Sequence, residues 1–175
     1  VDEADETGNY LVRFVMGNLP NTFKAISYNA SNGRIANLTV SLAAPATPGT
    51  ARSGLNATDT AALAAGRFTG PIPYVVNAVQ PSRLMLGWNG LYESADLGAT
   101  VRDIAPAAAG ESNVTALAFG GRNNDGSAAP NVVFFARGKI LRAGTSNGAT
   151  FTQAFQTVMP RNIVDIAIVP NNAKV

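Results

Sequence analysis

Two carboxylates, Glu93 and Asp103, are the residues of this chain whose types and spacing could perform catalysis. They are ten residues apart, and the surrounding apolar runs place them on neighbouring strands. A pair of carboxylates about 5–10 Å apart can hydrolyse glycosidic bonds. Charged residues at alternating strand positions more commonly face water, so we expect both side chains to be exposed to solvent.

The residue types that the chain lacks narrow its possible chemistry. The sequence has no Cys and no His, which excludes thiolate metal sites, a Cys nucleophile and a His general base. The single carboxylate of Asp96 makes a poor calcium site, and the segment 123–127 (NNDGS) lacks the later Glu of an EF-hand calcium loop. Neither therefore predicts a bound metal. We expect no metal and no cofactor, and a plain hairpin loop at 123–127.

Two further side chains have a structural interpretation, and one of them, Trp88, also has a binding interpretation. Trp88 is the only Trp and follows an apolar run. We expect it to pack in the core, and the alternative is an exposed platform on which a sugar stacks. Asp165 interrupts the apolar run 163–170 and is expected on the surface.

The composition favours a single β domain. The chain has 175 residues, 46% hydrophobic and 14% charged, with 17 Gly and 10 Pro, which favours strands and tight turns over helices. The net charge is only +2 with scattered basic residues, which excludes a nucleic-acid surface. No apolar run approaches the roughly 18 residues of a membrane span.

A repeat of 40 to 50 residues organises the second half of the chain. Segments 91–101 and 140–151 both end in Gly-Ala-Thr and an apolar residue, and their Thr residues are 50 positions apart. Apolar runs at 83–88 and 131–136 precede them, each followed by a turn that contains Gly. This pattern is typical of β-hairpins.

A third set of related segments, 74–81, 114–121 and 163–170, begins each unit. Four short strands in every 40 to 50 residues are typical of propeller blades. We therefore predict an all-β fold, a partial β-propeller of four-stranded antiparallel blades, with about three blades or parts of blades in one domain over 1–175. Its expected parts are an acidic tail (1–9), divergent N-terminal strands (10–44), a connecting loop (45–70), a blade (71–104), a second blade (113–158) and a truncated blade (162–175).

The connecting loop contains one segment with helical character. Residues 59–65 predict a helical turn, which Thr58 or Asp59 could cap.

One motif carries a resemblance to a known family. Residues 94–100 (SADLGAT) resemble the Asp box, Ser-x-Asp-x-Gly-x-Thr-aromatic, of bacterial sialidase repeats, with Val101 in place of the aromatic residue. Residues 145–151 keep the Gly, the Thr and the aromatic residue but have Asn in place of Asp. The residues expected to form these two structural turns are Ser94, Asp96, Gly98, Thr100, Thr145, Asn147, Gly148, Thr150 and Phe151.

Each residue type in this motif has a structural reason. The Asp side chain can accept hydrogen bonds from the backbone of its own turn, and each Gly can take a positive φ. We expect Val101 and Phe151 to point into the space between blades.

The resemblance implies a turn on the periphery of a blade, away from any catalytic face. Asp-box propellers include sialidases, oligoxyloglucan-type glycoside hydrolases and many non-enzymatic secreted or surface proteins. No catalytic position of either enzyme type can be transferred to this chain. The sequence favours a non-catalytic structural or binding module of a large secreted or cell-surface bacterial protein. The alternative is a fragment of a glycoside hydrolase, of sialidase or oligoxyloglucan-hydrolase type, whose active site is completed by missing blades.

Location and partners follow from that interpretation. We expect an extracellular or cell-surface location. The chain begins at Val1 without a signal-peptide pattern, so we expect an internal or processed piece. Three blades do not close a propeller, and the open blade flanks are expected to pack against the remaining blades of the same chain or against other subunits. Carbohydrate is a candidate ligand, and nucleic acid is not.

Overall fold

Three antiparallel sheets and one helix make up the part of the chain that the computed structural model describes. The described residues are 2–4, 10–15, 24–29, 31, 33–39, 54–67, 72–154 and 159–168. Each sheet is a meander in which every strand pairs with the next strand along the chain. The fold is mostly β with four-stranded antiparallel sheets, which confirms the all-β prediction at that level.

The strands follow one another along the chain in three groups of four. The first sheet contains β1 (Asp2–Ala4), β2 (Tyr10–Val15), β3 (Lys24–Asn29) and β4 (Arg34–Thr39). The second sheet contains β5 (Tyr74–Val76), β6 (Leu84–Gly87), β7 (Leu91–Ser94) and β8 (Arg102–Asp103). The third sheet contains β9 (Val114–Phe119), β10 (Val132–Arg137), β11 (Ile140–Thr145) and β12 (Thr150–Gln153).

The second sheet is buried on both faces. Successive side chains of a strand point to opposite faces, so Leu84 and Leu86 lie on one face and Met85 on the other. The two Leu side chains belong to a core cluster with Phe14 and Ala25 of the first sheet, whereas Met85 packs with the third sheet. Every residue of β6 and β7 is consequently buried. This explains why β6 is an uninterrupted apolar run.

The third sheet packs one of its faces against the second sheet. Phe119 and Val133 are paired in register and therefore share that face, together with Phe135. All three belong to the core cluster that contains Met85. Phe135 and Phe151 meet edge to face with their ring centroids 5.2 Å apart. Strand β9 contacts both β5 and β6, so the first strands of the two sheets lie side by side.

Gly87 allows β6 to approach β9 closely. A Cβ atom at this position would lie 2.4 Å from Cγ1 of Val114 and 3.0 Å from Cδ2 of Leu117. Separations this short are sterically forbidden, so any side chain at residue 87 would force the two sheets apart.

The substitution Gly87→Ala should lower the free energy of unfolding by about 1–3 kcal/mol, the usual cost of overpacking a core. Urea denaturation measures this change. Adding Val114→Ala to the same variant removes the opposing methyl groups and should recover part of the loss. If Gly87→Ala is as stable as the wild type, the close approach of the two sheets is refuted.

The helix α1 (Ala57–Ala64) lies in the connection between the first and second sheets. Its N-cap is Asn56, whose side chain accepts a hydrogen bond of 2.9 Å from the Asp59 amide. The sequence predicted a helical turn here, but the choice of Thr58 or Asp59 as the cap is wrong. Asn56 occupies the capping position because the helix begins earlier than expected, and the Asp59 side chain bonds to the second sheet instead.

Two predictions near the chain ends are also wrong for the described residues. Residues 2–4 of the expected acidic tail form β1, because their backbone pairs with β2. Residues 163–168 of the expected strand form no strand. The Ile163 amide donates a hydrogen bond of 2.8 Å to the Gly138 carbonyl, but a single bond of this kind does not make a strand pairing. The segments 40–53, 155–158 and 169–175 lie outside the described residues.

Candidate functional site

The turn between β7 and β8 is closed by side chains of its own sequence. The Ser94 hydroxyl donates to Oδ1 of Asp96 at 2.8 Å. The amide of Thr100 donates to Oδ1 of Asp96 at 2.9 Å, and its hydroxyl donates to Oδ2 at 2.7 Å. Gly98 has a φ of +87°, which suits glycine, and its amide donates to the Ser94 hydroxyl at 2.8 Å. The predicted hydrogen-bonding role of Asp96 is confirmed.

These hydrogen bonds determine the ionisation of Asp96. Partial burial acts to raise its pKa, but the hydrogen bonds from Thr100 and Ser94 outweigh burial and hold the pKa below its ordinary value. A carboxylate with a lowered folded-state pKa stabilises the fold above its unfolded pKa of about 3.9. That stabilisation is lost as the pH falls through the folded-state pKa.

Removing this carboxylate should have a modest, pH-dependent effect. We expect Asp96→Ala to lower the free energy of unfolding by about 1 kcal/mol near neutral pH. The difference from the wild type should shrink in acid, where Asp96 is protonated in both states. Urea denaturation at neutral and acidic pH measures it, with the exposed Asp165→Ala as the matched control. A loss that is the same at both pH values would contradict the assignment.

The corresponding turn between β11 and β12 is closed differently. The Thr145 hydroxyl donates to the backbone carbonyl of Asn147 at 3.0 Å, and the Thr150 hydroxyl donates to that of Gly148 at 3.4 Å. Gly148 has a φ of +100°, as its type predicted. The Asn147 side chain is exposed, and its backbone rather than its side chain accepts the closing bond. The second turn therefore shares the position of the first turn but not its carboxylate.

The apolar residues that follow the two turns lie between sheets, as predicted from the repeat. Val101 is buried in the core cluster shared by the first and second sheets. Phe151 packs against the cluster between the second and third sheets.

A buried ion pair links the second sheet to the third. Nε of Arg83 donates to Oε1 of Glu93 at 3.1 Å, and Oε2 of Glu93 accepts from Arg102 at 2.6 Å. Arg83 also donates to Oγ of Ser146 at 2.8 Å and to Oδ1 of Asn131 at 2.9 Å. Since Ser146 follows β11 and Asn131 precedes β10, Arg83 joins the two sheets.

An open cleft of about 370 Å³ adjoins this ion pair, between the two turns. Among its charged lining residues, Arg83 and Glu93 are buried, with side chains only 11% and 4% exposed, whereas the Arg102 side chain is 54% exposed. We call it the inter-turn cleft. Its further polar lining residues are Thr100, Asn131, Ser146 and Asn147.

Glu93 and Asp103 do not form the carboxylate pair that glycoside hydrolysis needs. Their strands are paired, but Glu93 lies opposite Arg102 and Asp103 lies opposite Tyr92. Adjacent residues of a strand face opposite sides, so the two carboxylates lie on opposite faces of the second sheet. Both are buried, and the prediction that they face water is wrong. The reason is that both faces of this sheet are covered and each carboxylate has hydrogen-bond donors there.

A third buried carboxylate, that of Asp59, attaches α1 to the hairpin between β6 and β7. Oδ2 of Asp59 accepts from the Tyr92 hydroxyl at 2.5 Å and from the Gly90 amide at 2.8 Å. Asn56 in turn donates to Oδ2 of Asp103 at 3.1 Å. Burial raises the pKa of Asp59 and outweighs the hydrogen bonds from Tyr92 and Gly90. Burial, together with the neighbouring Asp59, also raises the pKa of Tyr92.

The remaining candidates have structural positions. Trp88 is buried in the core between the first and second sheets, which confirms the core interpretation over a sugar platform. The loop 123–127 is an exposed hairpin closed by a 2.9 Å bond from the Asn123 amide to the Ser127 carbonyl. Asp165 is exposed. Within the described ranges, no three His, Cys, Asp or Glu residues come together as metal ligands.

Comparison of this chain with protein-family models, with curated proteins and with solved structures finds no match. In the part of the chain that the structure describes, no helix has both the length and the apolar character to cross a bilayer.

The polar contacts that join the sheets and α1 were not predicted from the sequence. Arg83 and Arg102 were not singled out, and Asp59 was considered only as a helix cap, although all three form the polar networks described above. The sequence does contain a signal for Arg83, because this lone charge directly precedes the apolar strand β6, which is buried on both faces. A charge in such a position needs a buried counter-charge, and Glu93 on the next strand provides it.

Proposed function

We propose that this chain is part of an Asp-box β-propeller that serves as a non-catalytic structural or binding module of a large secreted or cell-surface bacterial protein. The observation that carries the proposal is the packing of the second sheet. A four-stranded meander covered on both faces by sheets before and after it along the chain is what a propeller blade requires.

Two further features support the propeller arrangement. The first strand of the third sheet contacts β5 and β6, as the inner strands of neighbouring blades do around an axis. The turns 94–100 and 145–150 both join the third and fourth strands of their sheets, which corresponds to the blade periphery.

The positions of the carboxylates favour a structural or binding role over the glycoside-hydrolase alternative. Glu93 is held by two guanidinium groups, and Asp103 is held by Asn56 on the opposite face. Because the two carboxylates lie on opposite faces of the sheet, they cannot act together on one glycosidic bond.

Spin-label distances test the propeller arrangement, and the absence of native Cys makes the labelling specific. One pair, Ala99→Cys with Ala149→Cys, labels equivalent exposed positions of the two turns. A second pair, Ala78→Cys with Arg122→Cys, labels exposed positions after β5 and β9. Blades that radiate from an axis give a clearly longer distance for the first pair. Similar distances for both pairs would indicate parallel stacked sheets, which lie about 10 Å apart throughout, and would refute the propeller.

Hydrolysis assays with sialoside and xyloglucan-oligosaccharide substrates test the non-catalytic role. We expect no turnover that depends on the carboxylates of this chain. Hydrolysis that is abolished by Asp103→Asn, with an unchanged circular dichroism spectrum, would favour the enzyme instead.

The proposed partners are further blades of the same chain or other subunits, which would cover the outer faces of the first and third sheets. Size-exclusion chromatography with light scattering on this chain should then show self-association. A monodisperse monomer would count against uncovered blade flanks.

A further inference from the structure

The inter-turn cleft has an excess of hydrogen-bond donors and positive charge. Its charged lining groups are two guanidinium groups, Arg83 and Arg102, against one carboxylate, Glu93. Among the lining groups, one positive charge therefore remains after the buried ion pair is counted. A cleft with that balance attracts anions.

The two arginines of the cleft have different roles. Arg83 already donates to protein acceptors from Nε and from both terminal nitrogens, including Ser146 and Asn131. The Arg102 side chain is hydrogen-bonded to Glu93 alone among the described residues, and through a single terminal nitrogen. Its other N–H groups are available to a ligand, since its side chain is half exposed.

The surroundings hold the Arg102 guanidinium in place before any ligand arrives. Glu93, which orients it, is itself fixed by the buried Arg83. An arginine anchored in this way loses little side-chain freedom on binding, which favours affinity. A guanidinium fork also matches the paired oxygens of carboxylates and sulfates.

The facing wall of the cleft supplies amide groups. Asn131 accepts from Arg83 through Oδ1, so its Nδ2 group remains a donor. Asn147 is exposed and lines the same cleft. Amides of this kind suit the hydroxyl or oxyanion groups of a polar ligand. The volume of about 370 Å³ lies within the range of small-molecule sites, about 300–1,000 Å³.

We propose that the inter-turn cleft binds the carboxylate or sulfate group of a small polar molecule, with Arg102 as the principal contact. The site lies between the outer turns of two sheets and uses residues from both. It does not depend on the propeller arrangement, so failure of this inference would leave the proposed function standing.

Ligand-observed NMR titrations of the whole chain test the site with three probes. Glucuronate supplies a carboxylate, a sulfated monosaccharide supplies a sulfate, and glucose is the neutral control. We expect one or both anionic probes to bind at least about tenfold more tightly than glucose, and the stronger one identifies the anion. Equal binding of glucose, or no binding of either anion, would overturn the proposal.

Variants then locate the binding in the cleft. Arg102→Ala should weaken binding of the anionic probe at least about tenfold. Arg102→Lys should recover only part of that affinity, because lysine lacks the guanidinium fork. Asn147→Asp adds a negative charge at an exposed position of the facing wall, and should weaken binding without disturbing the fold. Arg161→Ala removes an exposed arginine outside the cleft lining and should have no effect. Unchanged binding in Arg102→Ala and Asn147→Asp, or an equal loss in Arg161→Ala, would overturn the assignment.

Discussion

Replacing Glu93 with Leu should lower the free energy of unfolding by about 3–5 kcal/mol, the usual cost of removing one partner of a buried ion pair. The Arg83 guanidinium would stay buried between the second and third sheets, where its side chain is only 11% exposed. It would keep neutral acceptors such as Ser146 and Asn131 but would lose its counter-charge. An uncompensated charge in that position is far more costly than a missing hydrogen bond.

Two comparisons separate the charge effect from other causes. Ser146→Ala removes one hydrogen bond to Arg83 and should cost only about 1 kcal/mol. The double variant Arg83→Met with Glu93→Leu removes both charges and should recover most of the loss, because apolar replacements of a buried pair are often neutral. Urea denaturation of the four proteins gives the values. A double variant that is no more stable than Glu93→Leu would show that packing, rather than charge, is responsible.

Asp59→Ala should lower the free energy of unfolding by about 2–4 kcal/mol, because it leaves buried donors without an acceptor. The groups concerned are the Tyr92 hydroxyl and the Gly90 amide, which both donate to Oδ2 of Asp59. Tyr92→Phe removes one of these donors and keeps the carboxylate, so its effect should be smaller. If α1 were only loosely attached to the second sheet, Asp59→Ala would cost less than Tyr92→Phe.

The pH dependence of this contribution should be opposite to that of Asp96. Burial raises the pKa of Asp59 in the folded state, so its charged form is less favourable there than in the unfolded chain. Its contribution to stability is fully present below the unfolded pKa of about 3.9 and decreases as the pH rises through the folded pKa. The wild type should therefore lose part of its advantage over Asp59→Ala on going from acid to neutral pH, while its advantage over Asp96→Ala should grow. Urea denaturation of the three proteins across this range measures both trends.

The features that depend on near neighbours along the chain are predictable from the residue order alone. The second and third sheets lie where the repeat of apolar runs and Gly-containing turns predicted them, and both are meanders. The turn of Asp96 was predictable because its bonds to Ser94 and Thr100 span at most four residues. The positive φ of Gly98 and Gly148 follows in the same way, since it depends on the residue type and its local turn.

Which polar groups are buried, and which are brought together, depends instead on how the sheets and α1 pack. Glu93 and Asp103 were predictable as neighbours on adjacent strands, but the pairing register places them on opposite faces. Arg83 meets Ser146 across 63 residues, and Asp59 meets Tyr92 across 33. Such contacts depend on how whole sheets and α1 stack, because alternation along a strand gives two faces without saying what covers each. Here both faces of the second sheet are covered. Charged side chains that a half-exposed sheet would present to water are therefore buried, where they form hydrogen bonds to the third sheet and to α1.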